Sequence, residues 1–307
     1  MTARPLRFGV CGTAYWAETV HLPALQEADG LSLVAVYGRS ADRRASLARN
    51  FGITPFGEFA AFLEEVDAVS FAVPPDVQPE LAELALAAGK AIIVEKPVAR
   101  SIERANGLFT LAKARRSPVV CFLTRRYIPQ TAMVAEQARA SSASGGRSYF
   151  CSAAQSSSDP YANSQWRKEP DALLWDVGPH ALTPLVAALG PIVSVDVYRE
   201  TSSGCVLDVS HESGVRSLVE VAQGGPQSVM VEEYEFTTPD GLLKITGQPY
   251  DRVAAFRLAC AELLDLVKAD QGPGECFAAA IHFTAVLAAA LECRDTGRPI
   301  KIPSAIL

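Results

Sequence analysis

The first 122 residues alternate short apolar runs with stretches of helical spacing, and this alternation most strongly limits the possible folds. The run over residues 92–94 consists of β-branched residues, and the apolar runs are joined to the helical stretches by short turns that contain Gly, Pro or Ser. Strand–helix alternation with such short connections predicts a parallel, doubly wound sheet. The runs that predict strands are 7–11, 31–37, 67–73, 91–94 and 118–122.

After residue 122 the pattern changes, because β-rich runs follow one another without helices between most of them. Such runs pair in antiparallel fashion and form an α+β layer. The sequence therefore predicts an α/β protein with two domains, a parallel-sheet domain over 1–122 and an α+β domain over 123–307. The runs are 147–154, 192–198, 205–211, 216–222, 228–237 and 242–245, with closing helices over 253–268 and 276–292.

The overall composition narrows the possible partners. A chain of 307 residues, 49% hydrophobic and 20% charged, is long enough for two domains with real cores. A formal net charge of −6 disfavours a nucleic-acid or anionic-membrane surface. The most apolar run, 276–291, contains His282 and is expected to fall short of a membrane span.

The N-terminal residues pass straight into a strand, so no signal peptide is predicted. The seven cysteines form no C-x-x-C pair, which favours reduced thiols and a cytoplasmic location. With four histidines and no cluster of ligand residues, no metal site is predicted.

A carboxylate, an amine and a proline end the apolar run over residues 92–94, in the order Glu95-Lys96-Pro97. Ligands bind at the carboxyl ends of strands in open α/β sheets, so Lys96 is expected to face a cleft. Pro97 has no N–H for a sheet ladder and a fixed φ, so it ends the strand and restrains the lysine. Taken alone, the triplet fits a solvated lysine at a strand end equally well.

The first strand leads into a glycine turn where a dinucleotide-binding fingerprint belongs, with a helix after it. Gly12 matches the first glycine of that fingerprint, but Ala14 and Ala17 occupy the other two places. Alanine is tolerated at the third place, whereas at the second it adds a methyl group where the backbone approaches the phosphates. The candidate contacts of this turn are Gly12, Thr13, Ala14, Tyr15 and Trp16.

The end of the second strand carries a signal about the cofactor. An NAD enzyme places Asp or Glu there to bind both ribose hydroxyls, but this chain has Gly38. Arg39, Ser40 and Arg43 follow and offer donors to a 2′-phosphate instead. The pattern favours NADP (NADPH) and leaves NAD possible. The alternative is a helix start whose arginines are simply solvated.

A second polar constellation lies between the first two β-rich runs of the second half. Gly178-Pro179 is predicted to start a helix, and Asp176 and His180 are spaced so that they converge on one side of it. An N-cap aspartate and a half-buried histidine would give the same pattern. Candidate substrate contacts are Arg126, Tyr127, Tyr161, Trp166 and Arg167.

In their joint order, these motifs resemble the glucose-fructose oxidoreductase / inositol dehydrogenase (Gfo/Idh/MocA) family over essentially the whole chain. The resemblance is carried by residues 8–17 with 21–25, 73–75, 88–90, 95–97, 125–129, 176–180 and 296–299. It implies an N-terminal Rossmann domain, a C-terminal domain with an open, mostly antiparallel sheet, and a homodimer or homotetramer formed through that sheet. It also implies cofactor contacts at Val73, Pro74, Glu95, Lys96 and Pro97.

The resemblance further implies an NAD(P)-dependent oxidoreductase acting on a sugar, keto-sugar or polyol. Lys96 would meet the reacting oxygen, and Asp176 and His180 would line the substrate site and handle the proton. The chain departs from the family where Leu173-Leu174-Trp175 replaces a glycine-rich run, and where Thr183 and Gln78 replace a common aspartate and histidine. Reduction of another carbonyl, an imine or a conjugated double bond, and a non-catalytic dinucleotide-binding regulator, remain alternatives.

Overall fold

The structure is a computed structural model, which describes residues 4–153, 160–161, 164–224 and 230–303. The chain divides into two units, and the helix over 275–296 runs from the first into the second. One unit comprises Met1–Phe122 and Asp251–Ala280, and the other comprises Leu123–Tyr250 and Ile281–Leu307.

The first unit contains a parallel sheet with helices connecting its strands. The strands are β1 (Leu6–Cys11), β2 (Leu31–Tyr37), β3 (Thr54–Phe56), β4 (Ala68–Phe71), β5 (Ala91–Val94) and β6 (Val119–Cys121). The helices are α1 (Leu22–Glu27), preceded by a π-helical turn over Ala17–His21, α2 (Ala41–Phe51), α3 (Phe59–Glu65), α4 (Gln78–Ala87) and α5 (Ile102–Arg115). The strand order β3-β2-β1-β4-β5-β6 is the Rossmann order, which confirms the predicted doubly wound sheet.

The second unit contains a seven-stranded sheet in the order 12-11-7-10-9-8-13. Its strands are β7 (Gly145–Ser152), β8 (Ile192–Thr201), β9 (Gly204–His211), β10 (Arg216–Gln223), β11 (Val231–Thr238), β12 (Gly241–Thr246) and β13 (Ile300–Lys301). All of the described pairs are antiparallel except β7 with β10, so the sheet is mostly antiparallel as expected. The helices are α6 (Pro129–Ala140), α7 (Ala172–Leu189), α8 (Arg252–Lys268) and α9 (Glu275–Thr296), of which α8 belongs to the first unit.

Residues 251–280, which the sequence-based division places in the second domain, pack in the first unit. The reason is the apolar face of α8, which contacts α1, β5 and β6. Phe256 on this helix lies 4.1 Å from the His21 ring and 4.8 Å from the Phe122 ring, measured between ring centroids. A segment late in the chain therefore completes the core of the Rossmann unit.

The prediction that Gly178-Pro179 starts a helix is wrong, because α7 already begins at Ala172 and both residues lie inside it. Gly178 has a packing role there, since a Cβ at this position would lie 2.6 Å from Leu287 Cδ2 on α9. The glycine lets the two helices approach each other closely. Asp176 consequently lies one helical turn inside α7 and not at its N-cap.

The helices α7 and α9 are, by length and composition alone, long and apolar enough to cross a membrane. The expectation that the apolar run over 276–291 falls short of a span is therefore corrected, because α9 comprises 22 residues. In both helices 72% of the apolar window is buried inside the protein, as in the core helices of a folded domain.

Two buried histidines lie close to the start of β8. His282 on α9 accepts the N–H of Ile192 at Nε2 (3.1 Å) and is 3% exposed. His211 donates from Nδ1 to the Gly190 carbonyl (2.7 Å), and its Nε2 lies 2.8 Å from the Ser217 hydroxyl. Both contacts suit neutral imidazoles. Burial, and then His211, lower the pKa of His282 from 6.5 to about 4.

We expect the free energy of unfolding to fall on acidification because of His282. The unfolded chain binds the proton near pH 6.5 and the folded chain only near pH 4, so stability is complete above pH 6.5 and declines below it. Between pH 7 and pH 4.5 the loss from this group should be on the order of 2 kcal/mol, measured by urea unfolding. The variant His282→Gln should lose less of its free energy of unfolding over the same pH range, because it has no imidazole to protonate at this position. Equal losses in both proteins would contradict the assignment.

Candidate functional site

The turn after β1 is tightly fitted to the neighbouring strand. Gly12 has φ +132°, and a Cβ there would lie 2.3 Å from the Ala72 carbonyl oxygen. Only glycine fits this position without moving backbone, as the first place of a dinucleotide fingerprint requires. Ala14 and Tyr15 after it are exposed, whereas Ala17, the first residue of the π-helical turn, is buried. Gly12 and Ala17 therefore suit the first and third places of the dinucleotide fingerprint.

The loop after β2 is crowded by that same turn. A Cβ on Gly38 would lie 2.4 Å from Thr13 Cγ2, so the absence of an acid at position 38 also has a steric cause. Arg44 Nη1 donates to the carbonyls of Gly38 (2.9 Å) and Arg39 (3.1 Å) and shapes the loop. Arg43 Nη1 donates to the Thr13 carbonyl (3.4 Å). The two loops at this edge of the sheet are thus joined by side-chain contacts.

Helix α2 begins directly at this loop. The hydroxyl of Ser40 caps it by accepting the N–H of Arg43 (3.4 Å). The side chains of Arg39 and Arg43 are exposed. A helix N-terminus with two arginines beside it is positively charged and has donors for a phosphate.

One buried glutamine holds the turn that contains Lys96. Nε2 of Gln78, at the first position of α4, donates to the carbonyls of Glu95 (2.8 Å), Pro97 (3.2 Å) and Val98 (3.1 Å). Its Oε1 accepts the N–H of Glu95 (2.8 Å). Gln78 is fully buried, the Lys96–Pro97 peptide bond is cis, and Lys96 itself is half-buried. The backbone on both sides of Lys96, at the carboxyl end of β5, is therefore held in place.

The neighbouring carboxylate of Glu95 is tied to the helix after the glycine turn. Its Oε1 accepts the indole N–H of Trp16 (2.7 Å) and lies 3.2 Å from Nε2 of His21. Nδ1 of His21 lies 2.7 Å from the Ser70 hydroxyl. Glu95 and Trp16, both predicted to contact the cofactor, thus form a brace between β5 and the glycine turn. The carbonyl of Pro74 accepts the N–H groups of residues 77 and 78 and starts α4.

In the second unit, His180 is fixed by three neighbours on separate elements. Arg125 Nη1 lies 3.2 Å from His180 Nδ1, and the Phe150 ring stacks on the imidazole at 5.4 Å with an interplanar angle of 20°. Pro184, four residues on, has no N–H to donate to the His180 carbonyl, and the Tyr234 hydroxyl donates to it instead (3.3 Å). Burial raises the pKa of Tyr234, which keeps that hydroxyl protonated.

Arg125 is itself held by a buried ion pair. Its Nε and Nη2 donate to Oε2 of Glu232 (3.0 and 2.6 Å), and the two side chains are 3% and 4% exposed. The guanidinium lies 4.9 Å from the Phe150 ring centroid and 5.5 Å from that of Tyr250. Burial alone would lower the pKa of Arg125, but Tyr250 and Glu232 outweigh it and raise the pKa. The arginine is therefore a permanent cation beside His180.

Asp176 makes a bidentate ion pair with Arg167, at 2.7 Å to Nε and 3.2 Å to Nη2. The Arg167 guanidinium also lies over the rings of Tyr161 (4.3 Å) and Trp166 (4.7 Å). Arg167 therefore contacts Asp176 directly and connects it to Tyr161 and Trp166, the other two substrate contacts predicted in this stretch. Of the other two predicted contacts, Arg126 is exposed and Tyr127 is buried.

The sequence analysis did not single out Gln78 as a positioning residue, nor His21, Arg125 and Glu232 as site residues. For Arg125 a signal existed in the arginine pair 125–126, but the pair does not show which side chain turns inward. Among the residues that the structure describes, no group of three or more His, Cys, Asp or Glu side chains could hold a metal ion.

Comparison with known proteins adds to this geometry. The family model described as an oxidoreductase family with an NAD-binding Rossmann fold (GFO_IDH_MocA) matches residues 6–122. Over these residues the chain is similar to the Gfo/Idh/MocA oxidoreductase family. This confirms the resemblance of the sequence motifs and the NAD(P)-binding nature of the first unit.

Two curated relatives of this chain are named dTDP-3,4-didehydro-2,6-dideoxy-alpha-D-glucose 3-reductase. The one from Actinomadura kijaniata is 36% identical over 37% of this chain and 35% of that protein. The one from Streptomyces antibioticus is 30% identical over 62% of this chain and 59% of that protein. The match thus covers less than two thirds of either relative's length.

Among solved structures, this chain is similar to GenD2 from gentamicin A biosynthesis, which was crystallised with NAD. The TM-score is 0.86 at 19% identity, over 99% of this chain and 98% of that one. At such low identity the likeness shows a shared fold.

Proposed function

We propose that this chain is an NAD(P)-dependent oxidoreductase that moves a hydride between nicotinamide and a carbonyl or alcohol carbon of a sugar, keto-sugar or polyol. The observation that carries the proposal is the turn fixed by Gln78, which holds Lys96 at the carboxyl end of a Rossmann strand. Ligands bind at that end of such sheets. The two relatives named as 3-reductases of a dTDP-linked sugar support the substrate class.

The bound nicotinamide would supply or accept the hydride. As an ammonium, Lys96 holds the substrate oxygen and stabilises the negative charge that it gains in the reducing direction. His180 takes part in handling the proton. Asp176, with its partner Arg167, lines the substrate pocket and orients its polar groups. The cofactor would be held at Gly12–Trp16, at Val73 and Pro74, and beside Glu95, Lys96 and Pro97.

NADPH is the proposed preferred cofactor. Position 38 has no carboxylate to repel a 2′-phosphate, and the contact with Thr13 leaves no room for one. The exposed Arg39 and Arg43 at the start of α2 supply positive charge beside the free end of the helix. A charge-assisted arginine–phosphate contact contributes about 1.5–3 kcal/mol, which corresponds to a preference of about tenfold or more.

Titration of the protein with NADPH and NADH, followed by cofactor fluorescence, tests this preference. We expect NADPH to bind at least about tenfold more tightly, and Arg39→Gln to weaken NADPH by a similar factor without changing NADH affinity. Arg49→Gln is the matched control, because Arg49 is an exposed arginine in the last turn of the same helix.

A preference for NADH would refute the phosphate site but leave the oxidoreductase. Binding of neither cofactor would favour a non-catalytic descendant of the fold.

We also propose that copies of the chain associate through the face of the second sheet that carries ion pairs such as Arg147–Glu220 (2.8 Å) and Lys244–Glu235 (2.9 Å). Along β7, β10 and β11, residues on this surface alternate with residues on the buried face of the sheet.

A further inference from the structure

We propose that Arg125 fixes His180 as the neutral imidazole that carries its proton on Nε2. In the proposed reaction His180 then acts as a hydrogen-bond donor and keeps its proton, and Lys96 is the group that gives up a proton. The role in the reaction rests on the proposed function, whereas the tautomer of His180 does not.

The chemistry of the contact between Arg125 and His180 decides which nitrogen of the imidazole carries the proton. A guanidinium has five N–H donors and no acceptor, and it stays charged at every pH at which the protein is folded. Arg125 Nη1 lies 3.2 Å from His180 Nδ1, so Nδ1 must offer a lone pair. The remaining proton of a neutral ring is then on Nε2. An imidazolium would place an N–H group against the Nη1–H group at this distance.

Arg125 has no alternative position. Two hydrogen bonds to one carboxylate oxygen of Glu232, with both side chains buried, fix the plane of the guanidinium. The rings of Phe150 and Tyr250 flank it. A buried cation that left this carboxylate would lose its charge partner, which is strongly unfavourable.

The imidazole ring also has a favoured orientation. The ring lies nearly parallel to Phe150, and the backbone of residue 180 is held by the hydroxyl of Tyr234. Turning the ring over would exchange Nδ1 for a carbon and remove the acceptor from Arg125. The stacking and the hydrogen bond therefore favour a single ring orientation.

The consequence for the reaction follows from proton balance. In the reducing direction the carbonyl carbon takes the hydride, the C=O double bond becomes a single bond, and the oxygen needs one proton. A neutral imidazole that gave up its Nε2 proton would become an imidazolate, a far stronger base than the amine left when an ammonium loses a proton. The Lys96 ammonium can instead donate a proton, become a neutral amine and regain a proton from water. His180 meanwhile keeps its Nε2 proton.

Long-range ¹H–¹⁵N correlation spectra of the full chain, labelled with ¹⁵N-histidine, test the tautomer directly. The chain has four histidines, and loss of one signal in His180→Ala assigns the ring. The spectra are recorded at pH 8, above the ordinary histidine pKa of about 6.5, without cofactor or substrate. The double variant Arg125→Met/Glu232→Leu removes the ion pair without leaving a buried unpaired charge. Glu232→Asp is the matched control, because it retains both the guanidinium and a carboxylate beside it.

We expect a bare Nδ1 and a protonated Nε2 for His180 in the natural protein and in Glu232→Asp. In the double variant the two tautomers should mix, so that Nδ1 becomes partly protonated. A protonated Nδ1 in the natural protein would overturn the proposal, and so would an unchanged tautomer in the double variant. Because no substrate is present, a failure of the proposed oxidoreductase activity would leave this result intact.

Discussion

Lys96→Met should lower turnover by about 10²–10⁴ while the affinity for the cofactor changes by less than about twofold. Methionine has a similar length and fills the same space, but it has neither the charge that stabilises the substrate oxygen nor a proton to give. The turn itself should survive, because Gln78 holds it through backbone atoms of residues 95, 97 and 98. Steady-state kinetics on the substrate found by screening keto-sugars with NADPH measures the effect.

The matched control is Lys90→Met, which removes a lysine from the other end of the same strand. Lys90 Nζ donates to the Val66 carbonyl (2.9 Å), so this change should leave turnover intact. His180→Ala should also lose most turnover, and His180→Gln, whose amide retains a donor, should recover part of it. Turnover close to the natural value in both Lys96→Met and His180→Ala would refute the assigned roles.

Arg125→Met should lower the free energy of unfolding by about 3–5 kcal/mol, because it leaves Glu232 buried without its partner. The carboxylate is 4% exposed and has two hydrogen bonds from Arg125. Replacing both residues, as in Arg125→Met/Glu232→Leu, should restore most of the stability, since packed apolar side chains of similar volume carry no desolvation cost. Urea unfolding of the natural protein and the two variants measures the difference.

Arg139→Met is the control for loss of an arginine–glutamate pair at the surface. Arg139 pairs with Glu136 at 2.8 Å, but both side chains are more than 60% exposed, so little change is expected. If Arg125→Met were no less stable than Arg139→Met, the buried pair would not hold the site together. If the double variant were as unstable as the single one, the loss would come from packing instead of charge.

The Rossmann sheet could be predicted from the sequence because its strands are buried on both faces and contain unbroken apolar runs. Strand β5, for example, is fully buried and has Ile and Val at successive positions. Strand β3 was missed because it comprises three half-exposed or exposed residues, one of them a proline. Helix α6 was also missed, since its apolar positions are few and interrupted by polar ones. The local pattern of apolar residues therefore predicts deeply buried elements, but it fails for elements that are partly exposed.

The candidate site was only partly predictable. Lys96, Asp176 and His180 are visible because short motifs surround them, whereas the groups that position them come from distant parts of the chain. Gln78 and Glu232 reach their partners across separations of 17 and 107 residues. No local rule shows that Arg125 turns inward while Arg126 stays exposed. The start of α7 was misplaced because a Gly-Pro pair normally begins a helix, and here the pair serves contact with α9.

The contact between Gly38 and Thr13 constrains how cofactor preference could change during evolution. A mutation to aspartate at position 38 would place its Cβ 2.4 Å from Thr13 Cγ2, and threonine is stiff about χ1. Starting from the NADP preference that we propose, a lineage moving toward NAD would therefore have to shorten residue 13 before an acid at residue 38 became tolerable. The order of the two mutations is set by geometry, so laboratory libraries that vary position 38 alone should yield no stable NAD-specific descendants.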